Sequence, residues 1–176
     1  MYFKRVFHII LFSLFGVMAG FSQQKAEVQF SVHLGDFQSI VVNSSQNQVG
    51  VHLDSKEDVL KGKGVQQNDH IKVTSTSQYE INVSSSSELM GVQNELPAGM
   101  IQITPSSGST MVNVAPHQID YSKVSLSKQQ QTIINSSKGD IERSFNMNYF
   151  VKGGVDILEK AKGNYKTTIS YSIVPN

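Results

Sequence analysis

The sequence predicts an all-β protein, an antiparallel β-sandwich with at most one short helix near residues 155–162, and three observations carry that prediction. Apolar residues recur at every second position over much of the chain, turn-forming residues separate these runs, and no long stretch repeats with a helical period. Successive side chains of a strand point to opposite faces, so such alternation marks a strand with one dry and one wet side. A parallel sheet would instead show near-continuous apolar strands with helices between them.

Taken in order, Val28, Phe30, Val32 and Leu34 share one parity, opposite Glu27, Gln29, Ser31 and His33. Shorter candidate strands follow at 40–42 and 49–53. Ile71 and Val73 precede the Ser/Thr stretch 74–77, and Tyr79, Ile81 and Val83 resume the alternation after it. Further short candidates are 101–104, 111–115, 124–126 and 132–135. Phe145, Met147, Tyr149 and Val151 alternate with Ser144, Asn146 and Asn148, with Phe150 interrupting the polar face. The last run sets Tyr165, Thr167, Ile169, Tyr171 and Ile173 against Lys166, Thr168, Ser170 and Ser172, in β-branched and aromatic residues that suit a pleated surface. Turns are expected at 34–36, 61–64, 67–69, 105–108, 137–140 and 153–154, where Gly, Asn, Asp and Ser collect. Val155 to Lys162 is the one helix candidate, with Ile157, Leu158 and Ala161 on a shared face before Gly163.

The chain of 176 residues is expected to form one domain, residues 23–176, behind a cleaved signal peptide at 1–22. Lys4 and Arg5 supply a positive start, Val6 to Met18 is almost wholly apolar, and Gly20-Phe21-Ser22 offers small residues for cleavage. That apolar run is shorter than the roughly 20 residues needed to span a bilayer, so no membrane span is expected after cleavage. The expected location is therefore the periplasm, the cell surface or the extracellular space. With no Cys, neither a disulfide nor a lipid-modified cysteine is available, and hydrophobic packing alone must hold the domain. Lys and Arg number 15 against 14 Asp and Glu, scattered along the chain, which makes nucleic acid a poor candidate partner.

No catalytic, cofactor-binding or metal-binding residue is assigned from the sequence, no cofactor is implied, and the protein is not expected to be an enzyme. His8, His33, His52, His70 and His117 lie far apart and pair with no nearby Cys, Glu or His as a compact zinc motif would require. His8 would leave with the signal peptide, and the other four read as wet-face or loop residues. Asp54, Glu57 and Asp58 match no calcium loop and read as a solvated loop. Lys61-Gly62-Lys63-Gly64 lacks the spacing of a phosphate loop and reads as a hairpin end. No Gly-x-Ser-x-Gly elbow is present, and a thiolate mechanism is impossible without Cys. The Asn-x-Ser sequons at Asn43, Asn82 and Asn135 matter only in a host that glycosylates exported proteins.

The final third carries a resemblance. Phe150-Val151-Lys152-Gly153-Gly154, a spacer containing Leu158, and Ala161-Lys162-Gly163-Asn164-Tyr165 lead into the alternating terminal run. This pattern resembles bacterial exported domains related to spore-coat-U-like and archaic chaperone–usher pilin subunits. Lys152 stands where that pattern commonly has Gly, and Lys162 separates Ala161 from Gly163. The resemblance implies an immunoglobulin-like sandwich and a fimbrial, structural or adhesive role at the cell surface. Its partners would be other copies or related subunits joined by strand addition, and a periplasmic chaperone. In that scheme Val28 to Leu34 would be a donated strand and Tyr165 to Ile173 would lie beside a vacant groove. The alternative is a monomeric carbohydrate- or cell-wall-binding module, although the chain has no Trp to serve as a sugar platform.

Overall fold

A computed structural model describes residues 25–112, 117–158 and 160–176. The expected signal peptide, and the part of the expected strand 111–115 beyond residue 112, lie outside the described residues. Gly35–Asn176 forms one compact unit, while residues up to Leu34 belong to another.

The larger unit is an antiparallel β-sandwich. Its strands are β1 (Gln38–Val42), β2 (Lys63–Ser75), β3 (Tyr79–Ser85), β4 (Leu89–Met90), β5 (Glu95–Leu96), β6 (Ile101–Val112), β7 (Ile119–Tyr121), β8 (Val124–Ser125), β9 (Gln131–Ser136), β10 (Asp140–Val151) and β11 (Ile169–Pro175). One sheet has the order β1-β2-β10-β6-β8 and the other β11-β3-β9-β7, while β4 and β5 form a separate pair whose Met90 also bridges Lys166. The alternation works as the sequence predicts. Ile71, Val73, Tyr79, Ile81, Val83, Ile103, Phe145 and Met147 from the two sheets are fully buried in one cluster. In β9 the pairing slips opposite Ile81 and Asn82, and the extra residue lets both Ile133 and Ile134 enter the core.

Two expected turns are instead irregularities inside long strands. Residues 67–69 lie within β2 and 105–108 within β6, so these strands run unbroken past β10. Against β10 the register of β2 jumps from Met147↔Gln67 to Phe145↔Ile71, and that of β6 from Phe145↔Ser107 to Arg143↔Met111. Asp69 joins the two irregularities from a left-handed conformation, φ 48°. Its carboxylate accepts from the Ser109 amide at 2.7 Å, the Ser109 hydroxyl at 2.6 Å and the Ser144 hydroxyl at 2.6 Å. Gly108 lies so close to Ser144 and Asp69 that a Cβ there would collide with both side chains and with the Ser144 carbonyl. Turn-type residues are present here because bulged strands need the same dihedrals as turns.

Among the described residues two single 3-10 turns, Ser44–Gln46 and Ala98–Met100, and two short α-helices, α1 (Lys56–Lys61) and α2 (Val155–Leu158), complete the unit. The second falls within the expected 155–162 segment. The first replaces the expected solvated loop, because Ser55 and Asp58 close a reciprocal capping box at its start. Residues 49–53 keep their alternation of half-buried and exposed side chains but join no sheet. Gly153 does not need the positive φ that Gly154 adopts (142°) and serves a close approach to the Leu60 and Gly62 backbone instead.

Gly108→Ala should lower the urea midpoint clearly, whereas Gly99→Ala, whose Cβ would meet nothing nearer than 3.7 Å, should leave it nearly unchanged. The hydrogen bonds from Ser109 and Ser144 hold the Asp69 carboxyl below its ordinary value of 3.8. Its contribution to stability is therefore complete above that value and is lost as pH falls through the lower folded one. Acid titration of Asp69→Asn should lack that component.

Candidate interaction edge

The outermost strand of the smaller sheet, β11, pairs only with β3 among the described residues. The bonds from the Ser86 amide to the Thr168 carbonyl (2.9 Å) and from the Asn176 amide to the Gln78 carbonyl (3.2 Å) fix which backbone groups face β3. In an antiparallel ladder these groups alternate, so the even residues of β11 bond to β3. The amides and carbonyls of Ile169, Tyr171 and Ile173 point to the free edge. Pro175, which has no amide hydrogen to offer, occupies the next such outward position, as proline in a strand requires.

The same odd residues carry the inward side chains. Ile169, Tyr171 and Ile173 are only half-buried, although Val83 and Ile81, opposite Tyr171 and Ile173, are fully buried. One more strand beside β11 would supply the missing cover. Strand β1, which lies against β11 from the opposite sheet, is also an edge, with Ile40 half-buried and Val41 exposed. The alternating run before β11 continues its pattern, with Tyr165 and Thr167 half-buried and Lys166 and Thr168 exposed, and Lys166 makes an antiparallel bridge to Met90 of β4. Tyr165 donates its hydroxyl toward the Asn94 side chain and the Ala161 carbonyl.

Residues 25–34 show the complementary feature. The strand expected at Val28 to Leu34 is not formed, and no described residue before Gln38 belongs to a helix or strand. Val28, Phe30, Val32 and Leu34 are 90%, 88%, 67% and 88% exposed. The period-two pattern is present, but its apolar face has no cover.

Chemistry-bearing side chains converge inside the sandwich instead. Asp140 accepts from Arg143 Nε at 2.8 Å and from the Tyr79 hydroxyl at 2.8 Å, and His117 Nε2 lies 3.5 Å from the same carboxylate. That nitrogen is also 2.9 Å from the Ser136 hydroxyl. Serine, histidine and aspartate thus meet, yet not in relay order, because one imidazole nitrogen faces both partners. Ser136 also donates to the Lys138 carbonyl at 2.8 Å. The grouping instead holds a buried carboxylate with the donors it needs, tying β3 and β9 to β10. Burial, then the bond to Asp140, raises the Tyr79 hydroxyl far above its ordinary value.

His70 and His117 are therefore interior residues, not the wet-face or loop residues the sequence suggests, while His33 and His52 are exposed. The irregularity at Asp69 turns His70 inward, which two-residue counting cannot anticipate. Asp58 caps α1 and pairs with Lys63 at 3.0 Å, and Glu57 pairs with Lys61 at 2.7 Å. Gly62 ends α1, and Lys63-Gly64 opens β2 rather than a hairpin end. Among the described residues no three His, Asp or Glu side chains are grouped to hold a metal, and no helix is long and apolar enough to cross a membrane. No protein-family model matches this chain, and a search of curated proteins finds no match.

Removing the cation from the Asp140 grouping by Arg143→Met should cost about 3–5 kcal/mol in urea unfolding, since a charge is left buried without its partner. Tyr79→Phe, which deletes one donor, should cost about 1–3 kcal/mol.

Proposed function

We propose that the protein is a non-catalytic exported surface protein, a pilin-like structural or adhesive subunit that assembles through its sheet edges. The observation that carries this reading is the pairing of two deficits. One is a strand-patterned segment whose apolar face is bare, and the other is an edge strand whose inward side chains lack half their cover. In the proposed assembly, residues 28–34 of one copy add to the free edge of β11 in another. Main-chain hydrogen bonds would supply affinity and alternate side chains the register. Each of the four apolar side chains stabilises the junction by about 1.5–3 kcal/mol when fully buried. Together these are comparable with the estimated cost of about 4–15 kcal/mol for association.

The signal-peptide pattern at 1–22 and the resemblance of 150–165 to exported surface subunits support the same reading. A periplasmic chaperone would cover the bare segment or the free edge before assembly. The absence of cysteine suits a fibre held by packing and backbone pairing.

The mature chain should form larger species as its concentration rises in sedimentation velocity. A Phe30→Glu, Val32→Glu double variant should stay monomeric with an unchanged melting temperature, because both side chains are exposed in the single chain. A double variant that assembles like the parent, or a parent that stays monomeric at every concentration, would contradict the proposal.

A further inference from the structure

Beneath the free edge of β11, side chains from both sheets form one hydrogen-bonded chain whose direction is fixed at one end. Gln46 Nε2 lies 2.9 Å from the Asn68 carbonyl, which can only accept, so the amide orientation of Gln46 is determined. Its Oε1 then accepts from His70 Nδ1 at 2.9 Å. With the hydrogen on Nδ1, the neutral imidazole must accept at Nε2, and the donor is the Tyr149 hydroxyl at 2.8 Å. Tyr149 has thereby used its hydrogen, so Tyr171 donates to Tyr149 across 2.5 Å. The His70 ring meets both tyrosines edge-on, with centroids 5.5 and 6.2 Å away.

The chain links the turn after β1, together with β2 and β10, to β11 of the opposite sheet. His70 is 2% exposed, and burial holds its imidazole below the ordinary value of 6.5. Burial likewise pushes Tyr149 up to about 12 and Tyr171 well above its usual range, so both hydroxyls keep their protons while His70 titrates. The titratable groups facing His70 are Tyr149 from β10 and Tyr171 from β11, and Gln46 is neutral. Among the described residues no carboxylate or cation is a hydrogen-bond or ring partner of His70.

We infer that this chain is an acid-sensitive latch between the sheets: a second proton on His70 reverses its far half and releases β11. The proton enters from solvent and binds Nε2, which changes from acceptor to donor. Tyr149 must then accept from His70 and turn its own hydrogen toward the Tyr171 oxygen. The hydrogen of Tyr171 is left without an acceptor in the chain, and the half-buried hydroxyl must turn to solvent at the free edge, which undoes its tie to Tyr149. No other proton is gained or lost. Because the folded value lies below 6.5, the latch is fully engaged above that pH and is lost as pH falls through the folded value. The latch works within one copy and does not depend on assembly.

The test is long-range proton–nitrogen spectroscopy of the imidazole rings in the monomeric Phe30→Glu, Val32→Glu mature chain, with amide exchange of β11 followed over the same pH range. At neutral pH the His70 ring should be the Nδ1–H tautomer. As it gains its second proton, the opening constant of β11, corrected for intrinsic exchange, should rise about tenfold for each unit by which the folded value lies below 6.5. His70→Asn should abolish the acid response. Tyr171→Phe should leave the ring titrating with β11 indifferent to it, and it serves alone if the asparagine variant does not fold. The latch is overturned by an Nε2–H tautomer at neutral pH or by ring protonation without β11 opening. It is equally overturned by a ring that stays neutral until global unfolding, or by an acid response that survives in either variant.

Discussion

The dry layer between the two sheets is the constraint on which the rest of this molecule depends. With no cysteine to cross-link the chain, alternate side chains of β2, β3, β9 and β10 must supply the cohesion, and Ile71, Val73, Tyr79, Ile81, Val83, Ile133, Ile134, Phe145 and Met147 from them are fully buried. β10 sits at the centre of the larger sheet, bonded to β2 on one side and β6 on the other, so both register irregularities are measured against it. Asp69 turns that irregular zone into a fixed one by holding Ser109 and Ser144 at once.

Cover declines from the centre of the layer to its margins. The inward residues of β3 are sealed, whereas those of β11, one strand further out, are half-covered. A sandwich closed on itself would end in a polar or protected edge. This one ends in isoleucine and tyrosine whose backbone groups face outward, and the same chain carries four bare apolar residues at the same period. The two polar groupings within the layer act differently from the packing around them. The Asp140 cluster satisfies a buried charge, and the His70 chain gives the seam beside β11 a direction that protonation can reverse.

Much of this architecture was legible from period-two alternation, because burying one face of a strand leaves a direct mark on residue type. β3, β10 and β11 follow it closely, and the short helix at Val155–Leu158 falls where helical spacing replaces it. The bulges were not legible. Pro105 to Gly108 and Gln67 to Asp69 have turn composition, and only the partner strand decides whether the chain reverses or bulges. The inward placement of His70 followed from one of those bulges and was missed with it. Ser55 and Asp58 did carry a usable signal for α1, since a serine three residues before an acid is a capping pattern. Val28 to Leu34 has the clearest alternation near the start of the chain, yet alternation reports that a strand can be covered, not which chain covers it.

The most direct test of edge assembly is residue-resolved amide exchange on the mature chain, compared between its monomeric and assembled forms. The account predicts that the amides of Ile169, Tyr171 and Ile173 exchange quickly in the monomer and slowly in the assembly, as do those across residues 28–34. Ser170, Ser172 and Val174, already bonded to β3, should be slow in both. Odd-residue amides that are protected in the monomer, or that stay fast in the assembled form, would contradict it.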